Sequence, residues 1–349
     1  MNERQRPHSH PASQDPYERG FEHKLYENDI GPVHPHPRPN PPHGKKKKKK
    51  KKKGGGGFGL FLVLLAFLLT AAVFSVNLYI EAPMEDVPGR KSGNTTILLA
   101  GRDKSGLNTD TLMLVNVDSN AGSVSLMSIP RDTKVNSTYT PHKINGAFAA
   151  NGGGENGIRW LCNYIRDSLG VYPDGYLLVD LDCFVEIVDL FGGVDYDVPM
   201  AMNYEDVTQD LFIHLEPGMQ HLDGYASMGL VRFRKGYAMQ DLDRVKVQRD
   251  FLLSAFDQWQ KVGNLRKLPQ ALEILREHSM TNLSTANFLW LAQSALLCGR
   301  ENMHSYTMPY TVGKTYIYVK ADEELLDLIN SHFNPYEKRV TLDDLDVAR

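Results

Sequence analysis

The sequence predicts an α/β or mixed α+β fold, a central mixed β-sheet flanked by helices, and three observations support this. Three short apolar runs, Thr96 to Ala100, Leu112 to Val117 and Ser123 to Ile129, are separated by polar, glycine-containing segments, as consecutive strands and turns are. Downstream, the apolar period changes to that of a helix over Gly157 to Leu169, with Ile158, Leu161, Cys162, Ile165 and Leu169 on one face. Strand-like and helix-like stretches then alternate to the end of the chain.

The first quarter of the 349 residues has a different character. Residues 1–57 are rich in Pro, His and polar side chains and end in a run of lysines, Lys45 to Lys53, and four glycines. Such a stretch cannot bury enough apolar surface to offset its ordering entropy, so it reads as a disordered tail. Phe58 to Ile80 carries no charge and is long enough to cross roughly 30 Å of hydrocarbon as a helix, which predicts one transmembrane span. The lysines before it place the tail in the cytoplasm and everything after it outside the plasma membrane. A linker over 81–94, one extracytoplasmic domain over 95–335 and a C-terminal tail over 336–349 complete the expected organisation.

Charge is divided along the same line. Of 39 basic and 42 acidic residues, 14 and 6 precede residue 81, leaving 25 and 36 beyond it, a balance of −11. An acidic domain is a poor nucleic-acid binder, because that affinity comes from a basic face. Cys162, Cys183 and Cys298 lack metal-ligand spacing and read as buried, reduced thiols.

After the opening strands and the helix ending at Gly170, Tyr176 to Val179 reads as a strand. Cys183 to Phe191 reads as a helix closed by Gly192 and Gly193. Glu216, Pro217 and Gly218 mark a turn. Helices are expected at Pro269 to Arg276, at Thr285 to Leu297 behind a Ser284 cap, and at Asp322 to Ser331, with a strand at Thr315 to Val319. Asp180, Asp182 and Asp189 read as a solvated face.

If the first three strands pair antiparallel, one sheet edge gathers Asp103, Asp110 and Arg131, with Asp132 and Lys143 close behind. Two carboxylates flanking a loop and facing an arginine can hold a hard cation and a phosphate together. A second cluster contains Arg232, Arg234, Asp241, Arg244 and Gln248. On one helix Asp241, Arg244 and Gln248 share a face, and in an extended segment Arg232 and Arg234 point the same way. Surface ion pairs with the surplus carboxylates and an anionic ligand fit this spacing equally well.

The segments GRDKSGLNTDTLML, SIPRDT, HKIN, LFGGV and LVRFRKG, then QDLDR and Gln248, occur in this order. Together they resemble the LytR-CpsA-Psr family of cell-wall ligases, from about Thr96 to Trp259. The resemblance implies an apolar groove for the polyprenyl chain of a lipid-linked glycopolymer, teichoic-acid-like or capsular, moved with one phosphate onto peptidoglycan. Carried over, Asp103 and Asp110 hold Mg²⁺ (or Mn²⁺). Arg131, Lys143, Arg232, Arg234, Arg244 and Gln248 bind pyrophosphate oxygens, with Arg131 and Arg234 acting on the reacting phosphate. Asp241 orients the arginines or accepts the attacking hydroxyl's proton. Two positions depart from the usual pattern, with Asn108 and Val247 where family members carry arginine, which implies weaker pyrophosphate binding or a different glycopolymer. A non-catalytic binding or regulatory module for lipid-linked sugars, and a polyprenyl-pyrophosphate hydrolase, are the alternative expectations.

Overall fold

The computed structural model describes residues 80–83, 88–237 and 241–348, all within the second of two compact units, Phe61–Arg349. The expected tail at 1–57, and all of the expected span at 58–80 except Ile80, lie outside the described residues. Among the described residues no helix is long and apolar enough to cross a membrane.

The three opening runs form β1 (Asn94–Arg102), β2 (Thr109–Asp118) and β3 (Ser123–Ser128), paired antiparallel in sequence order. Non-local strands then extend this meander: β4 (Gly175–Val179) runs parallel to β1, and β10 (Met303–Thr307) parallel to β3. β9 (Ser279–Thr281) closes the far edge against β4. The result is a six-stranded mixed sheet in the order β10-β3-β2-β1-β4-β9. Its central strands are covered on both faces, which is why β1 and β2 read as nearly continuous apolar runs.

One face carries Leu98, Ala100, Leu112 and Leu114, packed against helix α2 (Gly154–Leu169) and helix α8 (Glu323–His332). α2 presents Ile158, Leu161 and Ile165 to this core and ends at Gly170, whose left-handed backbone (φ 73°) closes the last turn. Helix α1 (Ala147–Ala150) is a single turn beneath it. Residues 336–348 also pack here: Val340 is buried, and the Asp346 amide donates to the Asp167 carbonyl at 2.6 Å. Beside the same segment, bridged to Tyr336, Arg90 pairs with Asp174 and donates to the Asn94 carbonyl at 3.0 Å, fixing the entry to β1.

A second core forms around helices α3 (Leu181–Phe191), α4 (Gly224–Arg232) and α5 (Asp241–Trp259), with two β-ribbons. The ribbons pair β5 (Val194–Val198) with β8 (Gly218–Leu222), and β6 (Met202–Asp206) with β7 (Leu211–Leu215). In β5 and β7 alternate residues are buried, so Val194, Tyr196, Val198, Leu211, Ile213 and Leu215 face this core. The expected turn at Glu216–Gly218 lies between β7 and β8. The helices expected near 269, 285 and 322 are α6 (Leu268–His278), α7 (Thr285–Cys298) and α8. Ser284 caps α7 in a reciprocal box with Asn287. The expected last strand is shorter, β12 (Ile317–Val319), paired with β11 (Tyr310–Val312).

Cys162, Cys183 and Cys298 are free and buried, and burial pushes the Cys162 and Cys183 thiols up to about 12. Asp180 is half-buried rather than on a solvated face as expected, whereas Asp189 is exposed. Asp180 caps α3 by accepting from the Cys183 amide at 2.9 Å, and Asp189 accepts from the Gly224 amide at 2.7 Å, tying α3 to α4. A helix start offers unpaired amides that such carboxylates satisfy, for about 1 kcal/mol each. Asp182 remains exposed.

Candidate active site

The main sheet and the second core enclose a cavity of about 520 Å³. Its floor is apolar. Leu99 and Met113 are cross-strand partners on β1 and β2 and line one side; Phe184, Leu211, Val231 and Phe251 line the other. Both strands end at the cavity rim, because the β1–β2 hairpin reverses there: Arg102 lies opposite Thr109, one residue before Asp103 and Asp110 respectively. The antiparallel pairing thus puts the two carboxylates on one cavity wall, as the sequence predicts.

Asp103 closes its own loop. Its carboxylate accepts from Ser105 Oγ at 2.7 Å, from Asn108 Nδ2 at 2.8 Å, and from the Leu107 and Asn108 amides at 3.2 Å. Burial pushes this carboxyl up, and the hydrogen bonds outweigh it, so its pKa lies below the ordinary 3.8. Asn108, one of the two departures from the family pattern, is therefore a support for Asp103. Asp110 is held differently, with Arg131 Nη1 donating to its Oδ1 at 2.7 Å and Arg244 Nη2 to its backbone carbonyl at 3.2 Å.

The cationic side of the wall comes from α4, the loop after it and α5. Arg232, Arg234, Arg244 and Gln248 all line the cavity. Arg244 is only 2% exposed, and Gln248 donates to the Val231 carbonyl at 3.0 Å, fixing α5 to the end of α4. Their i, i+4 spacing places both on the cavity face of α5, as expected. Arg232 and Arg234 do not share an extended segment. Arg232 is the last residue of α4, and the chain becomes extended only at the cap, Phe233, whose ring is buried in the second core. Arg232 Nη2 donates to Gln209 Oε1 at 2.7 Å. Burial lowers the Arg232 pKa, while the negative charges of Asp110 and Asp103 act in the opposite direction.

Three expected residues stand apart. Arg131 is not on the cavity wall and reaches it through Asp110. Lys143 sits beside the same loop, but its ammonium pairs with Asp132 Oδ1 at 2.9 Å. Asp241 opens α5, and its side chain lies outside the described residues. The other departure, Val247, is buried in the second core.

Sequence reasoning missed Arg102, Gln209 and Lys235 on the cavity wall. Arg102 could have been found from its place beside Asp103. Gln209 follows a β-ribbon strand and carries no sequence signal. Two carboxylates and several guanidiniums over an apolar floor suit a ligand with an anionic head and a hydrocarbon body.

A model described as the LytR_cpsA_psr family matches residues 66–333. TagV of Bacillus subtilis, a polyisoprenyl-teichoic acid–peptidoglycan teichoic acid transferase, is 29% identical over 190 residues, which are 53% of this chain and 47% of TagV. The chain thus spans about half the length of that relative. Regulatory protein MsrR of Staphylococcus aureus is 26% identical over 261 residues, 74% of this chain and 77% of MsrR. The crystal structure of B. subtilis TagV superposes with a TM-score of 0.54 at 25% identity, covering 68% of this chain and 95% of that one. A LytR-Csp2A-Psr enzyme from Actinomyces oris, 19% identical, shares the fold with a TM-score of 0.56 over 74% of this chain and 96% of its own.

Proposed function

The chain belongs to the LytR-CpsA-Psr family, whose model matches residues 66–333, and from that premise we propose that it is a membrane-anchored phosphotransferase. It moves a glycopolymer with one phosphate from a polyprenyl-pyrophosphate carrier to peptidoglycan. The observation that carries this reading is the composition of one cavity, in which Asp103, Asp110, Arg232, Arg234, Arg244 and Gln248 stand over Leu99, Met113, Phe184 and Phe251. An apolar floor accommodates polyprenyl carbons, and the polar wall meets the pyrophosphate. The name of TagV, a teichoic acid transferase acting between a polyisoprenyl carrier and peptidoglycan, supports the same substrate class. The uncharged stretch Phe58 to Ile80 supports the membrane anchor, with the catalytic domain outside the cell.

The donor set fits Mg²⁺ or Mn²⁺. Asp103 and Asp110 offer hard oxygens on one wall, and hydrogen bonding keeps Asp103 ionised. A cation held by this pair supplies charge neutralisation at the pyrophosphate oxygens. The chain's own residues do the rest. Phosphoryl transfer needs an in-line pose and fixed positive charge more than covalent help. Buried Arg244 and half-buried Arg232 are preorganised donors for phosphate oxygens; exposed Arg234 reaches them from the rim. Arg131 sets the direction of the Asp110 carboxylate and adds its charge from behind. Lys143 adds to that field from beside the same loop. For Asp241, at the start of α5, the resemblance implies either orientation of the arginines or acceptance of the attacking hydroxyl's proton.

A second reading, a regulatory or binding module that holds lipid-linked sugars without turnover, is favoured by the departures at Asn108 and Val247 and by the name of MsrR. A third is a hydrolase using the same site. Purified protein supplied with a polyprenyl-pyrophosphate sugar, Mg²⁺ and a peptidoglycan acceptor separates them. Ligated product supports the transferase, unchanged lipid the binding module and free polyprenyl phosphate without ligation the hydrolase.

A further inference from the structure

Beside the main cavity lies a second hollow of about 390 Å³, lined by charged side chains together with Leu181, Val185 and Met228. Arg102, Asp103, Asp180, Leu181, Gln209 and Arg232 line both. The second hollow adds Lys104 and Ser105 from the β1–β2 loop, Asp182 from α3, Asp210 from the β6–β7 turn and Tyr225 from α4. We propose that this hollow is the subsite for the acceptor, a neutral polyhydroxylated glycan strand, an inference that rests on the transferase reading and deepens it.

Reaction geometry requires a second entry. The attacking and leaving oxygens lie roughly in line on opposite sides of the phosphorus. With the polyprenyl chain in the apolar cavity and the pyrophosphate on the shared wall, the attacking hydroxyl must arrive from elsewhere. The second hollow adjoins that wall at Asp103, Arg102 and Arg232. The acceptor oxygen bonds to the glycopolymer's phosphorus, the bond from that phosphorus to the bridging oxygen breaks, and polyprenyl phosphate leaves with the electron pair. The hydroxyl proton passes to solvent water.

The chemistry of the wall selects the ligand. Asp182 and Asp210 are exposed carboxylates, acceptors for sugar hydroxyls. Tyr225 is 41% exposed, and its hydroxyl donates to the Asp210 carbonyl at 3.0 Å. That bond fixes the ring against the β6–β7 turn and leaves aromatic surface for the C–H face of a pyranose. Positive charge in the hollow is already matched: Lys104 lies 3.6 Å from Asp210, and Arg102 lies 3.8 Å from Asp180. With Asp103, Asp180, Asp182 and Asp210 set against Arg102, Lys104 and Arg232, the wall is close to balanced with a slight acidic excess, which suits a neutral polyol better than a polyanion. Gln209 connects the two sites, since it lines both and accepts from Arg232.

The test measures binding of two probes separately, a soluble uncrosslinked peptidoglycan oligosaccharide and polyprenyl monophosphate in detergent, to the full chain and to Tyr225→Ala and Asp182→Asn. Both positions are exposed, so the variants are expected to melt like the wild type. Glycan affinity is expected to fall about tenfold in Tyr225→Ala and about threefold in Asp182→Asn, with lipid affinity unchanged. Equal glycan affinity in all three proteins, or no glycan binding by a wild type that binds the lipid, overturns the subsite. A wild type that binds glycan in a Tyr225-dependent way but not the lipid supports the subsite and removes the transferase reading instead.

Discussion

Arg131 donates from Nη1 to Asp110 Oδ1 at 2.7 Å, although the two residues are on different strand ends and only Asp110 lines the cavity. This pairing lets an arginine off the wall act at the site by orienting a carboxylate on it. Arg131→Ala is expected to lower turnover by about 10²-fold or more, the scale of losing one preorganised charge partner. Its effect on folding should be small, because the pair is partly solvated, with side-chain exposures of 16% and 34%. Ligation rate and thermal melting measured on the same preparation check this. Near wild-type turnover would rule out the role given to Arg131.

Arg244 is the largest fully buried side chain among the described residues and donates to the Asp110 carbonyl at 3.2 Å. Arg244→Met keeps comparable apolar volume while removing the charge. A buried ionic group is weak evidence for stability, so the melting temperature is expected to change little, the lost hydrogen bond being worth about 1 kcal/mol. Affinity for polyprenyl phosphate should fall about tenfold or more, since a charge-assisted donor to phosphate is gone. Calorimetric titration and a thermal melt of the variant separate the two effects.

The Asp103 carboxyl is pushed up by burial and pulled further down by its bonds to Asn108, Ser105 and two amides. A depressed folded pKa stabilises the protein above the unfolded value, and that contribution is lost as pH falls through the folded value. The β1–β2 loop should therefore keep its form down to pH 3.8 and loosen only below it. Asn108→Ala removes the 2.8 Å bond and should move the Asp103 midpoint upward. Carboxyl-carbon NMR titration reads both, and an unmoved midpoint in the variant would refute this account of the loop.

Gly170 ends α2 with φ 73°, and a Cβ placed there would overlap the Val340 side chain. Gly170→Ala combines the left-handed backbone penalty with overpacking, for an expected loss of about 2–4 kcal/mol. Denaturant unfolding measures this. The same experiment tests whether the segment after residue 336 belongs to the fold, since Val340→Ala should relieve part of the loss in the double variant.

The β1–β3 meander and the two carboxylates at its edge were legible because they depend on local hairpins, where alternating apolar runs and turns fix pairing and register. β9 and β10 were not: SMT and MHSYT are short, mixed in polarity and held by partners 100 or more residues away. Arg244 and Gln248 could be placed from helical spacing alone. Arg232 could not, because the end of α4 depends on where Phe233 finds its core, and Gln209 lies on the wall only because the β6–β7 turn reaches it. Spacing reports what one element does by itself; the cavity exists where two cores meet.

That meeting point offers a direct test of the lipid's place. Val231 lines the cavity on α4 between buried Leu230 and half-buried Arg232. Val231→Trp adds bulk to a space of about 520 Å³ without touching a charged group. If polyprenyl carbons occupy that space, affinity for a long-chain polyprenyl phosphate should drop about tenfold or more, while inorganic pyrophosphate, which needs only the polar wall, should bind as before. A short-chain prenyl phosphate should fall between the two. Equal affinity for the long chain in both proteins would place the hydrocarbon elsewhere, even if the wall still holds the phosphates.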